Sequence, residues 1–203
     1  MIDLALHEEL FVRQHVEHIE AMMGLEMENQ YVVMTPEGYE ALYAYEESGA
    51  VTRQFMGSHR PLDIHVVDNL GDLVLTASRP FFWFRSELHV LDSQGRPLGS
   101  LYRQFGFPKR RFALVDSHDR QIAQITSGMF RPNTFIVEDS DSAELGRITK
   151  EWGGLAREAF SDADTFRVSF SRRAPGNDFR LLVLASAFAI DLDFFEGGGR
   201  NVG

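Results

Sequence analysis

The most apolar segment of the chain, FRLLVLASAFAIDLDFF at residues 179–195, restricts the possible folds more than any other feature. Its uncharged run, residues 181–190, is ten residues long, whereas a helix needs roughly 20 residues to cross the hydrocarbon core of a bilayer. Apolar side chains lie all round the predicted helix, so each of its faces needs contacts with protein. We therefore predict a buried helix over residues 178–195, with Asn177 or Asp178 as its N-cap.

The middle of the chain has a strand-like pattern and contains an internal repeat. From Tyr31 onward, short runs with strand-like alternation are separated by turn residues, which is typical of antiparallel strands. Three similar segments recur at a spacing of 24 residues: DIHVVD at 63–68, ELHVLD at 87–92 and RFALVD at 111–116. Each repeat predicts one β-hairpin.

The predicted turns of these hairpins share one chemical pattern. Asp68 and Asp92 each begin a type I turn, and Gly71 and Gly95 follow three residues later, where the backbone needs a positive φ. Asp119 takes the corresponding position in the third repeat, although aspartate tolerates left-handed geometry less well than glycine does. The pattern predicts three-residue hairpin loops with a bulge.

The number of strands and the apolar helix together indicate the architecture. Residues 30–175, at roughly 12 residues for a strand and its turn, provide about twelve strands, which form either a sandwich or a closed barrel. A barrel wider than eight strands has a lumen that must be filled, and the apolar helix can fill it. We therefore predict a mainly β fold, a closed antiparallel barrel of about twelve strands around the buried C-terminal helix.

The two ends of the chain complete the predicted organisation. Val12, Val16 and Ile19 recur at helical spacing, so we predict a helix over residues 3–24 that packs outside the barrel. A chain of 203 residues fits a single domain, residues 1–203. Its last residues, 197–203, are rich in glycine and are expected to form a flexible tail.

Composition and motifs exclude several classes of function. A net charge of −10 argues against binding to nucleic acid through its phosphates, and the lack of cysteine excludes disulfides and thiolate sites. The first residues, MIDLALHEEL, do not resemble a secretory signal, so we expect a cytoplasmic protein that is not secreted. The sequence has no nucleophile elbow, Walker phosphate loop or zinc-protease helix, so we expect no enzyme activity.

Five motifs in the same order resemble the phospholipid scramblase family, over residues 7–196. They are MGLE at 23–26, GSHRP at 57–61, VDNLG at 67–71, GRITKEWGGLAREAFSDAD at 146–164, and FAID at 188–191 with FFE at 194–196. This resemblance implies a Tubby-like fold, a twelve-stranded barrel around a C-terminal helix. It also implies calcium-stimulated movement of phospholipids between leaflets, or binding linked to lipid.

The resemblance points to a calcium segment at residues 162–173 and to calcium as the one candidate cofactor. Asp162 and Asp164 stand at the first and third positions of an EF-like loop and are the candidate ligands. However, Arg173 replaces the closing acid and Arg167 replaces the glycine that such a loop needs at its sixth position. The alternative is that both aspartates are turn or capping residues.

A candidate membrane contact lies where related proteins carry palmitoylated cysteines. In this chain the corresponding residues, 81–85, read FFWFR and cannot be acylated. Phe82 and Trp83 would form an exposed loop at the headgroup boundary, supported by a basic cluster that faces anionic lipid, Lys109, Arg110 and Arg111. The alternative is a strand with both faces buried.

Two functions remain open at this point. In the first, the protein handles lipid: it associates peripherally with a phospholipid membrane surface, such as the inner face of the plasma membrane, and promotes redistribution between leaflets. In the second, it is a soluble barrel-fold binding or scaffold module for a lipid headgroup, a small molecule or a protein, without scrambling activity. The sequence identifies no particular protein partner.

Overall fold

In the computed structural model, which describes residues 3–14, 30–47, 61–82, 86–105, 109–151 and 165–195, twelve strands form a closed barrel and one long helix follows them. The strands are β1 (Glu9–Gln14), β2 (Gln30–Met34), β3 (Glu40–Glu47), β4 (Leu62–Asp68), β5 (Leu73–Arg79), β6 (Glu87–Asp92), β7 (Pro97–Gln104), β8 (Arg111–Asp116), β9 (Gln121–Gly128), β10 (Arg131–Glu138), β11 (Glu144–Glu151) and β12 (Thr165–Phe170). The helix, α1, spans Asn177–Phe194.

The strands follow an up-and-down order in which each one pairs with its neighbours in sequence. All pairs are antiparallel, and β1 closes the barrel by pairing with β12 on one side and β2 on the other. Each of the twelve described strands therefore pairs on both sides, and this part of the sheet has no free edge. The prediction of a closed antiparallel barrel of about twelve strands is confirmed.

The N-terminal helix predicted over residues 3–24 is wrong for the residues that the structure describes there, 3–14. A short 3-10 turn spans Leu4–Leu6, and Glu9–Gln14 form β1. Leu10 and Val12 point into the core on alternate positions of this strand and are almost fully buried. These residues form a strand instead of a helix because the strand hydrogen-bonds to both β12 and β2, which an external helix could not do. Residues 15–24 lie outside the described residues.

The 24-residue repeat corresponds to three successive hairpins, β4–β5, β6–β7 and β8–β9. In the first, Gly71 N donates to the Asp68 carbonyl at 3.0 Å, and the Asp68 side chain accepts from Leu70 N and Asp72 N. Gly71 has a φ of +85°, and Asp119, its counterpart in the third hairpin, has a φ of +58°. The predicted turn chemistry is therefore confirmed, including the left-handed aspartate.

We expect the charge of Asp116 to stabilise the third hairpin in a pH-dependent way. Hydrogen bonds from the Arg120 guanidinium, and others from the backbone N–H groups of His118 and Arg120, lower the pKa of Asp116 to about 2. Because the folded pKa lies below the unfolded value, this stabilisation is complete above about pH 4 and is lost as the pH falls through about 2.

The variant Asp116→Asn tests this prediction, because the amide keeps an oxygen acceptor for the turn and removes the charge. Urea unfolding between about pH 2 and 6 should show wild type more stable at the upper end, with a difference that shrinks towards the lower end. Arg120→Gln, which removes the partner cation, should reproduce the same pH dependence. A difference between wild type and Asp116→Asn that does not change with pH would contradict the prediction.

Helix α1 is buried along almost its whole length, and every residue from Phe179 to Leu192 is shielded from solvent. It packs most closely on β7, on β12 and on the 3-10 turn at Leu4–Leu6. Gly99 of β7 lies against Leu182, where an added Cβ would overlap the Val115 carbonyl. Among the described residues, no helix combines the length and the apolarity needed to cross a membrane.

The start of α1 differs from the predicted cap. Gly176 is the N-cap residue and, since glycine has no side chain, it makes no side-chain cap hydrogen bond. Asn177 Oδ1 instead accepts a hydrogen bond from Leu4 N at 2.7 Å, and Arg180 donates to the carbonyl of His7 at 2.7 Å. These polar groups tie the N-terminal segment to the helix, so tertiary bonding replaces the expected local cap. The predicted tail, residues 197–203, lies outside the described residues.

Candidate functional site

Two carboxylates lie at the C-terminal end of α1, at the end of the barrel opposite the Asp-Gly turns. Asp191 accepts a hydrogen bond from Tyr31 Oη at 2.9 Å and lies 3.4 Å from Lys150 Nζ. Asp193 accepts a hydrogen bond from Ser86 Oγ at 3.1 Å and lies 3.3 Å from Arg79 Nη1. Acids at a helix C-terminus interact unfavourably with the helix dipole, and the cations of the barrel wall offset this effect.

Asp193 also holds Arg103, which belongs to strand β7. Arg103 Nη1 is 3.9 Å from Asp193 Oδ2, and its guanidinium carbon is 4.6 Å from the centre of the Phe194 ring. Burial raises the pKa of Asp193, and the guanidinium groups of Arg79 and Arg103 oppose that rise. The end of α1 thus fixes the position of an arginine that lines a pocket.

This pocket, called the cationic pocket below, opens at the mouth of the barrel and has a volume of about 580 Å³. Three cations, Arg103, Lys109 and Arg110, line it together with Gln104, Phe105, Ser127, Gly128, Met129, Pro132 and Phe194. None of these lining residues is an acid, although the chain as a whole carries a net charge of −10. The pocket therefore suits an anion.

Arg110 is the least compensated of the three cations. Its Nη1 atom is buried and has no hydrogen-bond acceptor among the described residues. Its guanidinium carbon lies 4.7 Å from the centre of the Phe194 ring, which Arg103 also contacts. Burial, and then repulsion from Arg103, lower the pKa of Arg110. A bound anion would satisfy the free donor and reduce the repulsion.

Three exposed apolar residues are called the apolar rim below: Phe105 and Met129, which line the cationic pocket, and Phe130, which follows Met129 in the chain. Their exposed fractions are 77%, 56% and 91%, respectively. Met129 and Phe130 form the tip of the β9–β10 hairpin, where a polar turn is the ordinary choice. Sequence reasoning missed this rim, although two large apolar residues between neighbouring strands are a usable signal.

A second recess of about 450 Å³ adjoins the rim on the outer side of the barrel. It shares Lys109, Gly128 and Met129 with the cationic pocket and is otherwise lined by Phe130, Arg131, Thr134, Ile136 and Arg147. Its apolar floor beside several cations could accommodate an alkyl chain next to a negatively charged group.

The structure brings together part of the membrane contact predicted from the sequence. Lys109 and Arg110 line the cationic pocket, whereas Arg111 is not among its lining residues. Phe82 is half-buried and lies 5.6 Å from the guanidinium carbon of Arg79, and its neighbour Phe81 is partly exposed. Trp83 lies outside the described residues.

The predicted calcium ligands, Asp162 and Asp164, also lie outside the described residues. The part of that segment that is described, Thr165–Phe170, forms β12, and Arg167 makes ion pairs with Glu9 and Glu151. Within the described ranges, no group of three or more His, Asp or Glu residues is arranged to hold a metal ion. Calcium binding at Asp162 and Asp164 stays a prediction.

Comparison with known proteins gives one consistent result at the sequence level. A family model described as Scramblase matches residues 2–197. The chain is 28% identical to mouse "Phospholipid scramblase 1", covering 98% of this chain and 64% of that protein. It is 25% identical to human "Phospholipid scramblase 2", with coverages of 92% and 67%. The chain thus spans slightly less than two thirds of the mouse relative.

Two further matches are a yeast protein with a different name and a solved structure with low sequence identity. The yeast "Altered inheritance rate of mitochondria protein 25" is 26% identical, over 96% of this chain and 72% of that protein. A solved X-ray structure of a protein from Arabidopsis thaliana superposes with a TM-score of 0.51 at 10% identity, covering 91% of this chain and 93% of the other. At that identity the likeness concerns the fold alone.

Proposed function

The chain belongs to the scramblase family, and on this premise we propose that it binds phospholipid membranes through the cationic pocket and the apolar rim. Family membership supports a function of the phospholipid scramblase type. The proposal adds peripheral attachment at the rim and participation in the redistribution of phospholipid between leaflets, by binding and without a chemical step. The matching surface is an anionic leaflet such as the cytoplasmic one.

The single observation that carries this proposal is the position of exposed aromatic residues around a pocket lined by cations. Aromatic side chains favour the boundary between headgroups and acyl chains, and each exposed Lys or Arg adds about 1 kcal/mol of attraction to an anionic surface. Phe105 and Phe130 are exposed and can enter that boundary. Lys109 lines the cationic pocket with Phe105 and the adjoining recess with Phe130, so it can reach a headgroup at either. The local arrangement offsets the overall negative charge of the chain.

Attachment at the rim also leaves the core of the protein intact. The side chains of α1 fill the barrel, and moving the helix into a bilayer would remove the burial of residues such as Leu184 and Phe188. Each such side chain contributes about 1.5–3 kcal/mol of transfer free energy. Rim attachment instead uses side chains that are already exposed.

Vesicle flotation tests the proposal with variants of the rim. Wild type should float with phosphatidylcholine vesicles that contain phosphatidylserine, and the double variant Phe105→Ser/Phe130→Ser should lower the partition constant at least about tenfold. Leu70→Ser is the matched control, because Leu70 is 81% exposed but lies in a turn at the other end of the barrel. Equal flotation of the double variant and the control, or no flotation of wild type, would contradict the proposal.

Redistribution needs a separate measurement on the same vesicles. Fluorescent lipid in the inner leaflet should become accessible to dithionite when wild type is present, and less so with the rim variant. Running the assay with and without calcium, with Asp164→Ala beside wild type, also tests the calcium ligands predicted from the sequence. Flotation without any gain of dithionite-accessible lipid would favour the second function, a binding module without scrambling activity.

A further inference from the structure

The unsatisfied donor of Arg110 points to a ligand in the cationic pocket. Its backbone is fixed, since the Arg110 carbonyl accepts a hydrogen bond from Ser127 N at 3.0 Å. Its guanidinium lies over the rings of Phe194 and Phe195, which shield it from water. Several arginines have a buried nitrogen without an acceptor among the described residues, but Arg110 is the one among them that lines the cationic pocket, where a ligand could supply acceptors to its guanidinium.

The neighbouring cations are held in place before any ligand arrives. Arg103 is positioned by Asp193 and by the Phe194 ring, the ring on which Arg110 also lies. Lys109 adds a third positive charge from the exposed side of the pocket. Arginine presents several N–H donors in a plane, which matches the oxygens of a phosphate, and the acid-free lining provides no competing acceptor of full charge.

We propose that the cationic pocket binds a single phosphate group, with Arg110 and Arg103 donating to its oxygens and Lys109 closing the site, and that it prefers a phosphomonoester to a phosphodiester. A phosphomonoester carries about −1.5 to −2 charges at pH 7 and exposes three acceptor oxygens, whereas a diester carries about −1. Three cations match the larger charge better, since among the described residues only Arg103 of the three lies within ion-pair distance of an acid.

This inference rests on the proposed membrane function for its lipid form, because a phosphomonoester reaches the pocket either as a lipid headgroup or as a free anion. The volume of about 580 Å³ exceeds the size of one phosphate, so the rest of a headgroup fits beside it. The recess next to the rim gives the attached chain an apolar surface. Phosphatidate and inorganic phosphate are therefore the two probes.

The first arm uses inorganic phosphate and no membrane. The melting temperature of wild type should rise with phosphate in a saturable way, relative to chloride at equal ionic strength. Arg110→Gln should abolish the rise, and Arg110→Lys, which keeps the charge but loses the planar fork, should retain part of it. Arg120→Gln is the matched control, because it removes the same charge in an exposed turn at the other end of the barrel.

The second arm compares phosphatidate vesicles with phosphatidylserine vesicles of equal surface charge. Wild type should bind the phosphatidate vesicles at least about tenfold more tightly than the phosphatidylserine vesicles. Arg110→Gln should weaken binding to both, but should weaken binding to phosphatidate more, so that the preference between the two lipids disappears. Melting temperatures in chloride confirm that Arg110→Gln is folded; if it is not, Arg110→Lys replaces it in both arms.

The two arms separate the inference from the proposed function. Saturable protection by phosphate without binding to either kind of vesicle would contradict membrane attachment and support a pocket for a free anion. Binding to both kinds of vesicle with equal affinity, and no protection by phosphate beyond that of chloride, would overturn the phosphate site and leave the membrane function standing. The same phosphate response in Arg110→Gln and Arg120→Gln would also overturn it.

Discussion

Replacing Lys150 by methionine is expected to lower the free energy of unfolding by about 3–5 kcal/mol. Lys150 of β11 and Asp191 of α1 are paired at 3.4 Å, and their side chains are only 1% and 4% exposed. Methionine preserves most of the length and apolar surface of lysine but removes the charge. The Asp191 carboxylate would then stay buried without this cation, with the Tyr31 hydroxyl still donating to it.

Urea unfolding followed by circular dichroism measures this loss, and two further variants show its origin. Lys150→Met combined with Asp191→Leu should recover most of the lost stability, because replacing both members of a buried pair by apolar residues is often nearly neutral. Arg167→Met removes a cation from an exposed ion-pair group on the neighbouring strand and should cost less than about 1 kcal/mol. A loss of less than about 1 kcal/mol for Lys150→Met would contradict the prediction.

The features of the fold that could be predicted from the sequence are those specified by neighbouring residues. Asp and Gly three positions apart define a hairpin turn locally, and repeating that pattern every 24 residues revealed the hairpins before any contact was known. The length of the apolar run likewise excluded a membrane span without structural information. A further turn with the same hydrogen bonds, from Asp139 to Ser142, was missed because serine instead of glycine takes the positive φ.

The two predictions that were wrong, the N-terminal helix and the side-chain cap of α1, concern features that depend on residues distant in sequence. Val12 and its neighbours fit a helical spacing as well as a strand, and the strand is selected by pairing with β2 and with β12, the latter more than 150 residues away. Asn177 could serve as a helix cap by its local context, but its oxygen bonds to Leu4 at the other end of the chain. Sequence periodicity carries no information about either partner.

The basic residues of the candidate site could be predicted from the sequence, but the pocket that they line could not. The basic cluster at Lys109 and Arg110 is visible in the sequence, and its exposed position at a loop could be expected. The contacts that turn it into a pocket come from β7 and from the end of α1, through Arg103 and Phe194. Closing the barrel brings these elements together, so the pocket follows from the fold and not from a motif.

Replacing Phe188 by alanine is expected to cost about 3–5 kcal/mol of stability, a large share of the 5–15 kcal/mol typical of a domain. Phe188 lies in the middle of the buried face of α1, is fully shielded from solvent, and packs on the Tyr31 ring at 5.0 Å between centres. Phe188 belongs to one core cluster with buried residues from all twelve strands, so these close-packed neighbours can collapse only partly into the cavity left behind.

Phe188→Ala should also weaken the hydrogen bond to Asp191 at the barrel mouth, because Tyr31 packs on Phe188 through its ring and donates to Asp191 through its hydroxyl. Tyr31→Phe separates the two effects: it keeps the ring and removes only the hydrogen bond to a charged group, at a cost of about 1.5–3 kcal/mol. Phe130→Ala is the control for loss of an aromatic side chain, since Phe130 is 91% exposed and its removal should change stability by less than about 0.5 kcal/mol. If urea unfolding gave Phe188→Ala and Phe130→Ala similar small losses, Phe188 would not be a tightly packed core residue.

We expect the opposite: a large loss of stability for Phe188→Ala, and a loss of lipid binding without a loss of stability for the variants of the rim. That result would distinguish the aromatic residues that stabilise the barrel from those that bind the membrane.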